Sequence, residues 1–181
     1  MVLYCPAYNC WKVYIAQCLV SASTKATPII PPLCIAIYTA KQSGIQPSFN
    51  SEYTGYTKTE VDNGDGTYTT EIYTNSLDNL PTQIIFPNLI TKVSHLNTKN
   101  VTTMNGMFNS CVTLGSVDTS SWDTKNVTDM ENMFYGCQAL HTINFSGFDT
   151  SKVTTMRQMF AGCLVLTTID LSAFDTSSLT T

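Results

Sequence analysis

From Leu96 onward the apolar residues of this chain fall into columns. Val101, Val127, Val153 and Leu179 are equivalent, as are Met104, Met130 and Met156, so the spacing is 26 residues, without insertion, over three full units and the opening of a fourth. Met107/Met133/Met159, Phe108/Phe134/Phe160, Cys111/Cys137/Cys163, Leu114/Leu140/Leu166 and Leu96/Trp122/Phe148/Phe174 keep the same register. A fixed repeat of this length marks a stacked array, because one unit cannot hide its own apolar face and must share it with its neighbours. The columns Met104, Met107, Phe108, Cys111, Met130, Met133, Phe134, Cys137, Met156, Met159, Phe160 and Cys163 are therefore the expected core.

Within a unit, Val101, Met104, Met107, Phe108 and Cys111 are spaced by threes and fours, which predicts a short amphipathic helix of about two turns. Thr128 followed by Glu131 has the form of a capping box, and Gly136 and Gly162 suit a left-handed helix end. Leu166, Ile169 and Leu171 then alternate with Thr167, Thr168 and Asp170, which predicts a brief strand whose copies pair in parallel. The position of Trp122, Phe148 and Phe174 leads into the Asp-Thr pairs at Asp123, Asp149 and Asp175, whose side-chain oxygens suit a turn. The expected coil is strand, turn, helix and return.

The first 76 residues read differently. Pro28, Pro31 and Pro32 preclude a long helix, and Tyr4, Tyr8, Trp11, Tyr14, Ile15 and Val20 form a mixed aromatic set that suits either a small core or a docked surface. Cys34 to Thr39 reads as a buried strand, and residues 53–74 as a β-hairpin turning at Asp62–Gly66. Asp62 and Asp65 lack the ligand spacing and closing glutamate of an EF-hand. The organisation expected is a β-rich attachment region at 1–76, a degenerate capping coil at 77–95, where Thr91 and Val93 match the strand position, and the repeat array at 96–181.

The run FDTSKVTTMRQMFAGCLVLTTIDLSAFDTSS, with VTxMxxMFxxCxxL recurring in register, resembles the BspA-like leucine-rich repeat over about residues 96–181. The resemblance implies a right-handed solenoid displayed on surfaces, often adhesive, with no catalytic residues to carry over. The expected fold class is therefore an α/β leucine-rich-repeat-like solenoid of short parallel strands and short helices, preceded by a small β-rich region.

With 181 residues, 43% hydrophobic and 12% charged, the composition describes a folded and weakly charged protein. A net charge of -4, with Arg157 the single arginine, argues against nucleic acid as a partner. No apolar run approaches the roughly 18 residues of a membrane span. Val13 to Val20, with Lys12 before it and Ser21-Ala22-Ser23 after it, has the outline of a signal peptide; the single charge, Gln17 and Cys18 weigh against it. The surface of a cell or virion is the favoured location, without a clear signal peptide. Seven cysteines cannot all pair within one chain. Cys111, Cys137 and Cys163 read as buried thiols. Cys5, Cys10, Cys18 and Cys34 lack C-x2-C knuckles, which leaves metal, disulfide and buried-thiol readings open.

Catalysis would need a nucleophile, a base and an orienting group, and the histidines are only His95 and His141. His141 aligns with Gly115 and Thr167, so no constellation repeats, and a Cys137 nucleophile would have to leave a core column. Neither cofactor nor metal is expected. The candidate binding face is the pair of polar ladders Ser116/Thr142/Thr168 and Asp118/Asn144/Asp170, against the plain alternative of a solvated face. Asn100 and Asn126 spell glycosylation sequons, but the third copy carries Lys152. The function expected is a non-enzymatic, surface-displayed binding or adhesion protein, anchored to a larger assembly through its N-terminal region and engaging a protein or a glycan, with homo-oligomers allowed. The alternative is a structural cement, decoration or fibre component of a virion or other large particle.

Overall fold

The computed structural model describes residues 33–49, 56–74 and 80–180, all within one compact unit, Leu33–Thr181. Its five-stranded sheet contains β1 (Leu33–Ala40), β3 (Tyr56–Asp62), β4 (Tyr68–Thr74), β6 (Ile90–Leu96) and β7 (Ser116–Val117), in the order β3-β4-β1-β6-β7. The two-residue strands β2 (Ser48–Phe49) and β5 (Ile84–Ile85) form a separate antiparallel pair. β1 is central, and Ile35, Ala36, Ile37 and Tyr38 are buried in succession, as a strand covered on both faces requires. β3 is an edge strand with a mostly exposed Thr-Lys-Thr-Glu run, a composition that discourages further pairing. The turn between β3 and β4 is held by Asp62, which accepts from the Gly64 amide at 2.8 Å, and by Asp65, which accepts from the Thr67 amide at 3.0 Å. Gly64 and Gly66 supply the positive φ angles of 75° and 81° that this turn needs.

β6 joins two architectures. On one side it pairs antiparallel with β1, Ala36 opposite Leu96; on the other it pairs parallel with β7, Val93 opposite Val117. Phe86, just before it, stacks on Phe108 with ring centroids 5.0 Å apart. From β6 onward the chain advances as coils stacked in parallel.

These coils contain no helix, and the structure overturns the expected α/β repeat of short strands and short helices. The described residues form a mixed sheet followed by coils of turns and isolated bridges. The physical reason lies in the backbone. Met107, Asn109 and Cys111 donate to the carbonyls three residues back, at 3.0–3.1 Å, whereas Met104, Gly106, Phe108 and Ser110 donate across to Asp129, Glu131, Met133 and Tyr135 of the next coil at 2.7–3.0 Å. The alternation is enforced by a left-handed residue every fourth position: Gly106 and Ser110 (φ 62° and 60°), Asn132 and Gly136 (54° and 70°), Gln158 and Gly162 (55° and 77°). A right-handed helix cannot pass through such residues, yet the series of turns still brings positions three and four apart to one face. Thr128 and Glu131 cap no helix; Glu131 N–H is taken by the Asp129 carboxylate at 2.8 Å.

The expected strand is also shorter than its pattern. Ser116–Val117 is paired as β7, Ser116 bridges Thr142, and Leu166–Leu171 joins no ladder among the described residues. A second line of parallel bridges, Thr103 to Asp129 to Thr155, runs along another side of the stack.

Inside the stack, Phe86, Phe108, Phe134 and Phe160 form one column of nearly parallel rings with successive centroids 5.0, 5.2 and 5.9 Å apart. Trp122, Phe148 and Phe174 form a second, at 5.6 and 6.4 Å. Val101, Met104, Met107, Phe108, Cys111 and Leu114 are fully buried, as are their counterparts in the second coil. Burial of each such side chain contributes about 1.5–3 kcal/mol. In the third coil Val153 and Met159 are buried, while Met156, Phe160, Cys163 and Phe174 are partly covered, as is Leu179 at the opening of the fourth unit. The readings of Cys5, Cys10 and Cys18, of the aromatic set from Tyr4 to Val20 and of the Val13–Val20 run lie outside the described residues.

Candidate ligand-binding face of the coil stack

The polar ladders lie on the side of the coils that continues the β6–β7 pairing. Ser116, Thr142 and Thr168 are exposed, and Ser116 faces Thr142 through a parallel bridge. Val117 between the ladders is buried and Ile143 partly so, whereas Ile169 is exposed. In the second ladder Asp118 is half-buried, and Asn144 and Asp170 are exposed.

These three residues share a local task. Each accepts a backbone N–H two positions on: Asp118 from Ser120 at 3.0 Å, Asn144 from Ser146 at 2.9 Å and Asp170 from Ser172 at 2.9 Å. Such side-chain turns fix where the chain leaves the ladder. Hydrogen bonding from Ser172, first its side chain and then its backbone, holds the Asp170 carboxyl below the usual range. Thr119 joins the ladder across coils by donating to the Asn144 carbonyl at 2.6 Å. What the face offers is a row of hydroxyls beside a row of carboxylate and amide groups, repeated at the coil spacing. Those groups can donate and accept hydrogen bonds at points repeated along the face.

The thiol column has no comparable reach. Cys137 and Cys163 donate their S–H groups to the carbonyls of Phe108 and Phe134, at 3.2 and 3.1 Å, and Cys111 lies 3.7 and 3.5 Å from the carbonyls of Phe86 and Pro87. Burial pushes the Cys111 thiol up to about 12 and raises Cys137 and Cys163 as well, so the nucleophilic thiolate is suppressed. His141 is exposed, and His95 is half-buried on β6, where burial lowers its pKa below the ordinary value. Among the described residues no group of three or more His, Cys, Asp or Glu is placed to hold a metal ion, and no helix is long and apolar enough to cross a membrane.

Two threonine columns, visible in the sequence as a capping position and as part of the Asp-Thr pairs, tie one coil to the next instead, a role the sequence reading missed. Thr98, Thr124 and Thr150 are buried polar side chains, each tied to the coil ahead. Thr102, Thr128, Thr154 and Thr180 are exposed, and the last three donate their hydroxyls to the carbonyl of the preceding member at 3.0–3.3 Å. The signal for both was the recurrence of Asp-Thr and Val-Thr in every unit. Trp122, in a column otherwise of Leu and Phe, carries the one buried side-chain polar atom left without a partner among the described residues, its indole nitrogen.

No curated protein and no solved structure matches the chain. A family profile does, over residues 75–181, more than half of the sequence and all of the coil stack. The protein thus belongs to the family described as "Mycoplasma protein of unknown function, DUF285".

Proposed function

We propose that this protein is a non-enzymatic binding module of the BspA-like kind, displayed on a cell or particle surface and engaging a protein or glycan through the ladder Ser116, Asp118, Thr142, Asn144, Thr168 and Asp170. The observation that carries the reading is the division of labour within each coil. The residues with catalytic potential, Cys111, Cys137 and Cys163, bond to backbone carbonyls in the interior or at its margin, while the hydroxyl, carboxylate and amide groups line an outer face in register. A regular polar face on a rigid stack gains affinity by summing small contacts without ordering loops.

The test uses the full chain on a printed array of glycans and extracellular-matrix proteins. Retention of at least one class, lost in Thr142→Arg/Thr168→Arg with the unfolding midpoint unchanged, is the expected result. Turnover of an ester or peptide panel that disappears in Cys137→Ala would replace the binding reading with an enzymatic one.

A further inference from the structure

The outer side of β3 carries a pattern complementary to itself. The Asn63 amide bonds to the Thr67 carbonyl at 3.0 Å, and β3 and β4 run on from there in unbroken register, from Asp62 opposite Tyr68 to Tyr56 opposite Thr74. Hydrogen-bonded pairs alternate in an antiparallel ladder, so Val61, Thr59 and Thr57 spend their backbone groups on β4. Lys58, Glu60 and Asp62 therefore turn their N–H and C=O groups outward, at the edge of the order β3-β4-β1-β6-β7. Thr57, Lys58 and Thr59 are exposed, and Val61 is 61% exposed despite its place in a strand. The Glu60 carboxylate is already fixed, accepting from the Ser43 hydroxyl at 2.6 Å, the Gly44 amide at 3.0 Å and the Thr70 hydroxyl at 3.3 Å.

We propose that β3 is the docking site for β3 of a second copy of this chain, the two strands pairing antiparallel about a two-fold axis at Thr59. Charge selects this occupant and this register. Backbone groups can bond only where outward residues oppose outward residues, which allows the axis to fall at Lys58, Thr59 or Glu60. An axis at Lys58 sets two lysines against each other, and one at Glu60 sets two glutamates face to face, both unfavourable. An axis at Thr59 places each Lys58 opposite the other copy's Glu60 and each Thr57 opposite the other copy's Val61, while the two Thr59 side chains meet on the axis. The charge alternation that discourages an unrelated strand is thus matched by a second copy of itself, and the exposed Val61 gains a methyl-bearing neighbour. The contact is isologous and closes at two copies, joining the two five-stranded sheets edge to edge. The inference concerns a different surface from the polar ladder of the coils and stands whether or not that ladder binds a ligand.

The full chain is followed by sedimentation equilibrium from about 1 μM to 1 mM, with residue-resolved amide exchange at both ends of the range. The expected result is a monomer-dimer equilibrium in which exchange at Lys58 and Glu60 slows at least about tenfold as dimer forms, while Thr57, Thr59 and Val61, already bonded to β4, stay the same. Lys58→Glu, at an exposed site, sets like charges opposite each other and weakens dimerisation at least about tenfold with the wild-type unfolding midpoint. Mixing Lys58→Glu with Glu60→Lys restores a dimer, because each variant presents the charges that the other lacks. The wild-type exchange pattern decides the matter even where Glu60→Lys, deprived of its bonds to Ser43, Gly44 and Thr70, is less stable. A chain that stays monomeric throughout the range overturns the proposal, as does a dimer that protects other amides or one that Lys58→Glu leaves intact.

Discussion

The hydroxyl of Thr124 donates to the carbonyl of Asp149 at 3.0 Å and accepts from the amide of the same residue at 2.8 Å, closing a two-way link between coils. Thr98 makes the same pair of bonds with Asp123, and Thr150 with Asp175. One buried side chain thus satisfies both backbone polar groups of a residue in the next coil. Thr124→Val keeps the shape and removes both bonds, leaving an amide and a carbonyl unpaired. The expected loss is about 1–3 kcal/mol of unfolding free energy, with Thr124→Ser losing less, and denaturant titration of the two variants measures it. Equal stability of Thr124→Val and wild type would mean that water reaches Asp149.

Substitution at the left-handed positions separates the turn series from a helix by the sign of its effect. In a helix, Gly→Ala stabilises by roughly 0.5–1 kcal/mol. Here Gly162 has φ 77°, and a Cβ on it would stand 3.3 Å from the Cα of Gly136, so Gly162→Ala is expected to cost about 1–2 kcal/mol. Ser110→Gly, in the same column at φ 60°, is expected to be close to neutral, because relief of strain offsets the added backbone freedom. Thermal unfolding of the two variants supplies the comparison.

Why the sequence misled at this point is physical. Met104, Met107, Phe108 and Cys111 stand out because they recur, and they are buried, but spacing by threes and fours is shared by a helix and by a chain of turns bonded over three residues. The distinguishing mark was on the other face: Gly106, Asn132, Gly136 and Gly162 occupy two columns four residues apart, a poor choice for a helix interior. β1 and the hairpin of β3 and β4 were legible from apolar continuity and from Asp62–Gly66, where local chemistry alone dictates the turn. Phe86 was not legible as a member of the phenylalanine column, because it precedes Phe108 by fewer residues than the repeat length. Only the stacked rings reveal the equivalence. On the candidate face, Asp118, Asn144 and Asp170 were visible as a ladder, while their bonds to the amides two residues on become evident only once the turn is seen.

The ring column makes the second coil more sensitive to truncation than the third. Phe134 is fully buried, with Phe108 at 5.2 Å, Phe160 at 5.9 Å and Phe145 at 6.4 Å between centroids. Phe134→Ala is expected to cost about 3–5 kcal/mol, through lost transfer energy and the cavity left between two fixed coils. Phe160→Ala, at a partly exposed site, is expected to cost clearly less. Chemical denaturation of both variants tests the order, and an equal loss at the two positions would mean that the third coil's outer face is covered in solution.

Alkaline pH probes the thiol column. The Cys111 pKa rises from the ordinary 9.0 to about 12 because burial penalises the thiolate, and Cys137 shifts in the same direction for the same first cause, with its neighbouring thiols adding to it. A group whose folded pKa is raised contributes stability that is complete below its unfolded value and disappears as pH climbs toward the folded one. The loss should therefore begin near pH 9 and continue toward pH 12, at up to about 1.4 kcal/mol per pH unit for each buried thiol. Cys111→Ala lowers stability at neutral pH but flattens the decline above pH 9, which urea titrations from pH 7 to 11 would resolve. Alkylation supplies the residue-level reading. With iodoacetamide at pH 8 and peptide mapping, Cys163, which is partly exposed, is the first of the three column thiols to be modified, and Cys111 and Cys137 react only as the chain unfolds. Rapid labelling of Cys137 in the native protein would place that thiol outside the core and remove the structural argument against a cysteine nucleophile.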